Sequence, residues 1–400
     1  MILVINSGSS SIKFQLFVPQ GLSVVADGVV ERIGEGKSSL HYQHYEDEEV
    51  GEHRDDEADI PDHETGLREI IGRLSQYTGA DGEGLTGIGH RVVHGGAHYR
   101  EPVLIDDEVV DTIRALIPLA PLHNPANLCG IEVARRCFAR VPQVAVFDTA
   151  FHHSMPEHAY RYALPEACYE QHQVRRYGFH GISHHYVAQR TAEMLNAPLE
   201  QLNLITLHLG NGASAAAIAQ GRCVDTSMGM TPLEGLMMGT RCGDLDPAVP
   251  LYLAREMEVS DEAVDQLLNE QSGLLGVCGA NDMREVHRRI EANDDRARRA
   301  LEMYCYRIRK YIGAYNAVLG RVDALVFTAG IGEHDAEVRR RSCEGLDGLG
   351  VVIDARRNQG GSGEAREIQD GHASVKVLVV PTDEEREIAS QTLRLVNACA

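Results

Sequence analysis

Three sets of side chains stand where their types and neighbours could do chemistry. The first is cationic: Lys13 after the polar run in INSGSSSIK, Arg91 in GHRVVHGG, and Arg241 in MMGTRCGDLDP. A planar guanidinium fork matches the oxygens of carboxylates and phosphates, and all three cations lie beside glycine-rich backbone that a ligand can approach closely. The second set is histidines: His123 in APLHNP, His180 in YGFHGISHH and His208 in LHLGNG. His180 and His184 are four apart, but GFHGISH lacks the glutamate of HExxH, and no nearby carboxylate or cysteine completes a zinc set. The third set is oxygen donors. Asp148 ends the apolar run of VFDTAF, where a carboxylate needs compensation by a cation. Glu384 in PTDEE and Asn6 after ILVI also follow apolar runs, and such strand-end oxygens suit Mg²⁺ or its waters. Each residue taken alone has a plainer reading: a structural salt bridge, a satisfied histidine, or, for Thr382 with Glu385, a helix capping box. The weight falls on their combination.

Positioning these residues takes strands that end in polar turns. Residues 2–5 and 12–18 read as paired strands around the turn of INSGSSS, followed by alternating strands at 23–33 and 38–44 joined by GEGK. The acidic run EDEEVGEHRDDEAD reads as a solvated hairpin and linker surface. LREIIGRL places Leu67, Ile70, Ile71 and Leu74 on one helical face. Further strands are expected at 88–96, 141–151, after the long helix 301–320, and at 375–380 before a closing helix. LNLITLHLGNGASAAAI repeats the opening arrangement of apolar strand, small polar turn and second strand. Two copies of one strand–turn–strand unit imply duplication at domain scale, each half presenting a phosphate-facing hairpin to a ligand held in the cleft between them.

Bulk properties narrow the class. A chain of 400 residues exceeds the usual size of one core, and 43% hydrophobic with 24% charged residues is an ordinary globular composition. A net charge of -21 opposes sequence-independent nucleic-acid binding. Nine cysteines without a CxxC pair read as reduced thiols, and with no signal-like or membrane-spanning stretch the expectation is a cytoplasmic protein. Two nucleotide motifs are decoys. GEGKSS has Glu31 where a Walker A loop needs its first glycine and opens no helix. DGEGLTG lies between a helix and a strand, the reverse of a Rossmann fingerprint.

In order along the chain, INSGSSSIKF, GHRVVHGG, FDTAFHHSMP, RRYGFHGISHHYV, LHLGNGASAAAI, LEGLMMGTRCGDLDP, FTAGIGEH and VPTDEE closely resemble the acetate kinase family. The resemblance runs from residue 2 to about residue 385. It implies an α/β protein of two actin-like (ribonuclease H-like) domains with duplicated topology and a nucleotide cleft between them. The expected domains are 1–150 plus 385–400, and 151–384. The implied reaction is ATP + acetate ⇌ ADP + acetyl phosphate by direct in-line transfer, with Mg²⁺ (Mn²⁺ as the alternative metal) and a homodimer as the usual assembly.

Residue by residue, the resemblance gives the metal to Asn6 and Glu384, and the substrate carboxylate or its phosphate to Arg91. Asp148 matches the catalytic aspartate; His180 and Arg241 match the pair that stabilises the phosphoryl group in flight. Lys13, the stretch His208, Leu209, Gly210, Asn211 and Gly212, the run Asp282, Met283 and Arg284, and the run Gly330, Ile331, Gly332, Glu333 and His334 match nucleotide-contacting segments. Val93, Leu122, Phe179 and Pro232, with His123 beside Leu122, match the acyl pocket. His334, Asp383 and the GIS after His180 depart from the family's usual GIGEN, TNEE and GTS. The nearest alternative is a propionate or butyrate kinase of the same family; the remote one is a nucleotide-driven actin-like or heat-shock-like binding module. Because a carboxylate nucleophile is already ionised at neutral pH, Asp148 is expected mainly to orient Mg²⁺ and its waters.

Overall fold

The computed structural model describes residues 1–399 apart from 9, 47, 48, 80, 122 and 362, and divides into two units, Met1–Phe151 with Asp383–Ala400, and His152–Thr382. The first holds strands β1 (Ile2–Ser7), β2 (Ser11–Phe17), β3 (Val24–Glu31), β4 (Ser38–Glu46), β5 (Glu49–Ala58), β6 (Gly87–Val92), β7 (Val103–Leu104) and β8 (Gln143–Phe147) in the order β5-β4-β3-β2-β1-β6-β8-β7. Strands β1 to β5 form an antiparallel meander, while β1, β6 and β8 run parallel. The parallel strands are mostly apolar, as covering on both faces requires, and all five residues of β8 are buried. Helices His63–Thr78, Asn124–Cys137 and Glu384–Cys399 provide the cover. Leu67, Ile70 and Leu74 enter the core with Leu3, Phe14 and Phe138, and Ile71 packs at its edge.

The second unit contains β9 (Asn203–Leu209), β10 (Ala213–Ala219), β11 (Arg222–Thr226), β12 (Ala324–Thr328), β13 (Arg366–Glu367) and β14 (Lys376–Val379), ordered β11-β10-β9-β12-β14-β13. Its first five strands repeat the pattern β3-β2-β1-β6-β8: three consecutive antiparallel strands, then two parallel to the last of them. The duplicated hairpins expected from the sequence are therefore topological equivalents.

Boundaries differ from the sequence reading in physically informative ways. Asn6 and Ser7 belong to β1 and Ser11 to β2, because antiparallel pairing continues to Asn6↔Lys13 and Ser7↔Ile12. The acidic run carries strand β5, paired with β4 except for a register shift that skips Gly51. Residues 47 and 48 of that run lie outside the described residues. The closing helix starts at Glu384, and its first turn is capped by Asp383, which accepts from the Arg386 N–H at 2.9 Å. Thr382 instead places its hydroxyl 2.8 Å from that of Ser183, so the expected capping box does not form. Among the described residues no helix is long and apolar enough to cross a membrane.

Close approach of the closing helix to β6 depends on missing side chains. A Cβ on Gly89 would sit 2.5 Å from Thr392 Oγ1 and 2.7 Å from Ile388 Cγ2. Gly89→Ala is expected to destabilise the first unit by about 1–3 kcal/mol through overpacking, read from denaturant unfolding. An unchanged midpoint would show that the helix yields freely.

Candidate active site

In the first unit, three neighbouring parallel strands carry polar residues to their carboxyl ends, the usual place for a ligand in an open α/β sheet. Asn6 lies on β1, Arg91 on β6, and Asp148 directly follows β8, with its N–H bonded to Val92 O at 3.0 Å. Arg91 grips Asp148 with two nitrogens, Nη2 to Oδ2 at 2.7 Å and Nε to Oδ2 at 3.2 Å, and donates from Nη1 to Asn6 Oδ1 at 3.3 Å. Asp148 is 1% exposed, so this pair supplies the compensation that a buried strand-end carboxylate demands. Glu384 Oε2 lies 3.9 Å from Arg91 Nε, and Asn6 Nδ2 donates to Glu385 Oε1 at 3.3 Å.

The charges do not balance. Burial opposes the Arg91 charge, but Asp148 and then Glu384 outweigh it and hold the guanidinium above its usual range. Burial pushes the Glu384 carboxyl up to about 7; Arg91 pulls it back, while Asp148 and Glu385 add to the rise. The chain thus gathers more carboxylate than it neutralises. Among the described residues no group of three or more His, Cys, Asp or Glu side chains forms a metal cluster. Asp148, Glu384 and the Asn6 amide offer an oxygen-only set, which suits a hard cation that keeps most of its waters. Lys13, facing Asn6 across the hairpin, is exposed and lowers Glu384. Nearby, the Val93 N–H donates to Asn127 Oδ1 at 3.0 Å, and Asn127 N–H to His123 O at 3.1 Å, which joins Val93 to the start of helix Asn124–Cys137. Leu122 lies outside the described residues.

The second unit is built around helix Gly181–Met194 and the β9–β10 hairpin. His180 stands at the N-terminus of that helix with φ 57 and ψ 24, a left-handed conformation uncommon for a residue with a Cβ. Gly178 makes the preceding turn, because a Cβ there would lie 2.4 Å from Thr226 Cγ2. The His180 ring stacks on His208 at 4.1 Å between centroids. A point one Cβ bond out from Gly212 lies 3.5 Å from His180 Nε2 and 3.6 Å from Arg241 Nη1, so the hairpin turn brings these two expected partners together. Arg241 is half-buried, and burial lowers its pKa. Its side chain has no hydrogen bond or ion pair among the described residues, which leaves a guanidinium facing the turn without an anion.

Arg241 and Pro232 sit on a stretch, residues 227–247, without helix or strand. Side chains that sequence reasoning missed hold it. Arg176 donates to Glu234 Oε1 at 2.6 Å and to the carbonyls of Thr226, Ser227 and Met228, and Tyr162 donates to the other oxygen of Glu234. Asp244 accepts from the Gly235 N–H at 2.8 Å and from Tyr311 at 3.0 Å. Gly273, at φ +60, allows the chain to pass Met238 O and Arg241 O, which a Cβ would meet at 2.2 and 2.7 Å. Phe179 is buried beside His180.

A cavity of about 830 Å³ opens beside the same hairpin, within the range of small-molecule sites. It collects Gly210, Asn211, Asp282, Met283, Arg284, Gly330, Ile331 and His334, segments far apart in the chain. His208 Nδ1 lies 2.8 Å from Ser183 Oγ, and Glu333 accepts from the Thr382 N–H at 3.1 Å. The cavity also takes in His287 and Asp335, which the sequence did not single out. Their Nε2–Oδ2 distance is 2.6 Å, and Asp335 caps helix Ala336–Cys343 with its other oxygen.

Duplicated sheets with polar hairpin turns, one cluster rich in carboxylates and one presenting an unpaired guanidinium, define a kinase of the actin-like α/β fold. The chain belongs to the acetokinase family, which matches residues 1–390. It is 54% identical over 398 residues to the acetate kinase of Syntrophobacter fumaroxidans, covering 99% of this chain and 97% of that one. It is likewise 54% identical over 397 residues to the acetate kinase of Streptomyces avermitilis, covering 99% and 97%. Among solved structures it is similar to Porphyromonas gingivalis acetate kinase (TM-score 0.91, 44% identity, 99% of both chains) and Francisella tularensis propionate kinase (TM-score 0.92, 38%, 98% and 99%).

The hydrogen bond to Asp335, opposed by burial, raises the His287 pKa. A raised folded-state value means stabilisation that is full below the unfolded pKa of about 6.5 and lost as pH climbs through the folded value. The destabilisation caused by His287→Asn is therefore expected to be larger at about pH 6 than at about pH 9. Equal unfolding differences at both pH values would contradict the assignment.

Proposed function

We propose that this enzyme transfers the γ-phosphoryl group of ATP to a carboxylate oxygen of acetate, reversibly and in line, giving acetyl phosphate and ADP. The observation that carries the reading is Arg241: a half-buried guanidinium without an anion of its own, next to His180 and the hairpin turn. Phosphoryl transfer asks the protein chiefly for positioning and for donors to the equatorial oxygens. In the proposed reaction an acetate oxygen bonds to the γ-phosphorus as the bridging P–O bond breaks, and the electron pair leaves with ADP. Arg241 and His180 receive the transferring oxygens, and the cavity lined by Asn211, Asp282 to Arg284, Gly330, Ile331 and His334 holds the nucleotide.

Acetate is an anion at neutral pH and needs no proton removed. Asp148, gripped by Arg91, is accordingly assigned to holding metal and Arg91 in place instead of acting as a base. Asp148, Glu384 and Asn6 would hold Mg²⁺, which when bound neutralises phosphate charge. Arg91 takes the carboxylate, with Val93, Phe179 and Pro232 against the methyl group. The relatives named acetate kinase support acetate, and the propionate kinase neighbour supports a tolerant pocket, since one methylene is worth only ~1–3 kcal/mol. A homodimer is part of the proposal. Helix Ala248–Met257 has no buried residue and exposes Val249, Leu251, Tyr252 and Met257, apolar surface that a second copy would cover.

Purified protein with MgATP, acetate and hydroxylamine is expected to yield acetyl hydroxamate, with kcat/KM higher for acetate than for propionate or butyrate. Absence of hydroxamate would end the proposal. Arg241→Ala is expected to lower kcat by roughly 10²–10³, the value of one preorganised donor. Asp148→Asn is expected to lose turnover together with a raised Mg²⁺ requirement; an unchanged metal dependence would return Asp148 to an acid–base role.

A further inference from the structure

The polar residues behind His180 form a chain whose direction can be worked out. His180 and His184 lie one turn apart at the start of helix Gly181–Met194, facing β9 and β10, which carry Thr206 and Ser214 among mostly apolar residues. Ser214 Oγ lies 2.9 Å from His180 Nδ1 and 2.8 Å from His184 Nε2, and His184 Nδ1 lies 2.7 Å from Thr206 Oγ1. Thr206, Ser214 and His184 are completely buried. Burial, reinforced by His152 and His208, holds His184 well below its ordinary pKa, so its ring carries one N–H and one lone pair.

Were Ser214 to accept from both rings, its own hydrogen would have no acceptor among the described residues; two other directions satisfy the distances. In one, the Thr206 hydroxyl donates to His184 Nδ1, His184 Nε2–H donates to Ser214, and the Ser214 hydroxyl donates to His180 Nδ1. Every hydrogen has an acceptor, and the neutral His180 ring carries its proton on Nε2. In the other, His180 Nδ1–H donates to Ser214, Ser214 to His184 Nε2, and His184 Nδ1–H to Thr206. The Thr206 hydroxyl hydrogen then points into the core with no other acceptor among the described residues, an arrangement that native interiors avoid. The first direction is therefore preferred, and it aims a donor outward: Nε2 is the His180 nitrogen near the Gly212 turn that Arg241 Nη1 also approaches.

We propose that Thr206, His184 and Ser214 act as a directional relay that fixes His180 as its Nε2–H tautomer, making it a hydrogen-bond donor to the phosphoryl oxygens. Thr206 is a positioning residue here, acting through two others. The last clause rests on the function proposed above; the tautomer itself does not.

Nitrogen-15 NMR of histidine-labelled protein, without substrate, reads the tautomer directly and needs no variant. The expected result is Nε2–H at His180, and an Nδ1–H spectrum overturns the relay. Thr206→Val removes the terminal donor at nearly constant shape. It is expected to shift His180 toward Nδ1–H and to lower kcat roughly tenfold, a fraction of what complete loss of a donor costs, with KM for nucleotide and acetate little changed. Thr206→Ser is expected to restore both readings. A Thr206→Val protein that keeps the Nε2–H signal overturns the proposal. One that changes tautomer at full turnover overturns the catalytic part. Full turnover in His180→Ala would refute instead the assignment of His180 to the phosphoryl group, leaving the tautomer result standing.

Discussion

Unbalanced charge is the constraint around which the rest is arranged. In the first unit Asp148, Glu384 and Glu385 crowd one guanidinium, and Glu384 responds with a pKa pushed up to about 7. In the second, Arg241 is half-buried with no carboxylate partner among the described residues. Either imbalance is unfavourable where water is scarce, and each persists because surrounding backbone and side chains leave no alternative position. The signs are opposite: one cluster lacks positive charge and the other lacks negative charge.

Much of this was legible in the chain. Glycine-rich turns after apolar strands marked both hairpins, and a carboxylate at the end of VAVF could only be a compensated one. The resemblance paired His180 with Arg241, and the structure brings both to the Gly212 turn. The residues that hold these groups left fainter traces. Thr206 and Ser214 are ordinary in composition, and their signal is polarity at alternate positions in strands that are otherwise wholly buried. His184 was set aside because HxxxH suggested zinc and the metal partners were absent; its actual partners are hydroxyls from two other strands. Arg176, Glu234, Asp244 and Asp335 lie in segments with no periodicity, where sequence carries no register from which to infer contacts. Asn6 was assigned to a turn since polar residues suggest loops, whereas strand pairing continued through it.

A common device runs through these irregular segments. Loop carbonyls have no ladder partners and must find donors elsewhere. Arg176 serves three of them in 226–228. Arg307 serves Gly235 at 2.8 Å. Arg339, only 1% exposed, does the same for carbonyls left over at the ends of two short helices, Gly332 and Glu333 in Ala329–His334 and Asn358 in Ala355–Gln359. Burial lowers the Arg339 pKa to about 10, with Arg366 adding to the fall, since its partners are neutral carbonyls and an amide. Rigid multi-donor side chains thus give loops and short helix ends a definition that their own backbone pairing does not supply.

The closing helix Glu384–Cys399 belongs to the first unit and packs on β1, β6 and β8, strands contributed by the opening part of the chain. During synthesis, those strands emerge long before the segment that covers them. The whole 152–382 region is made in between, so the N-terminal sheet must wait with part of an apolar face bare. Completion of the first-made sheet therefore waits on a later-made helix, and until it docks chaperone capture or aggregation competes with folding.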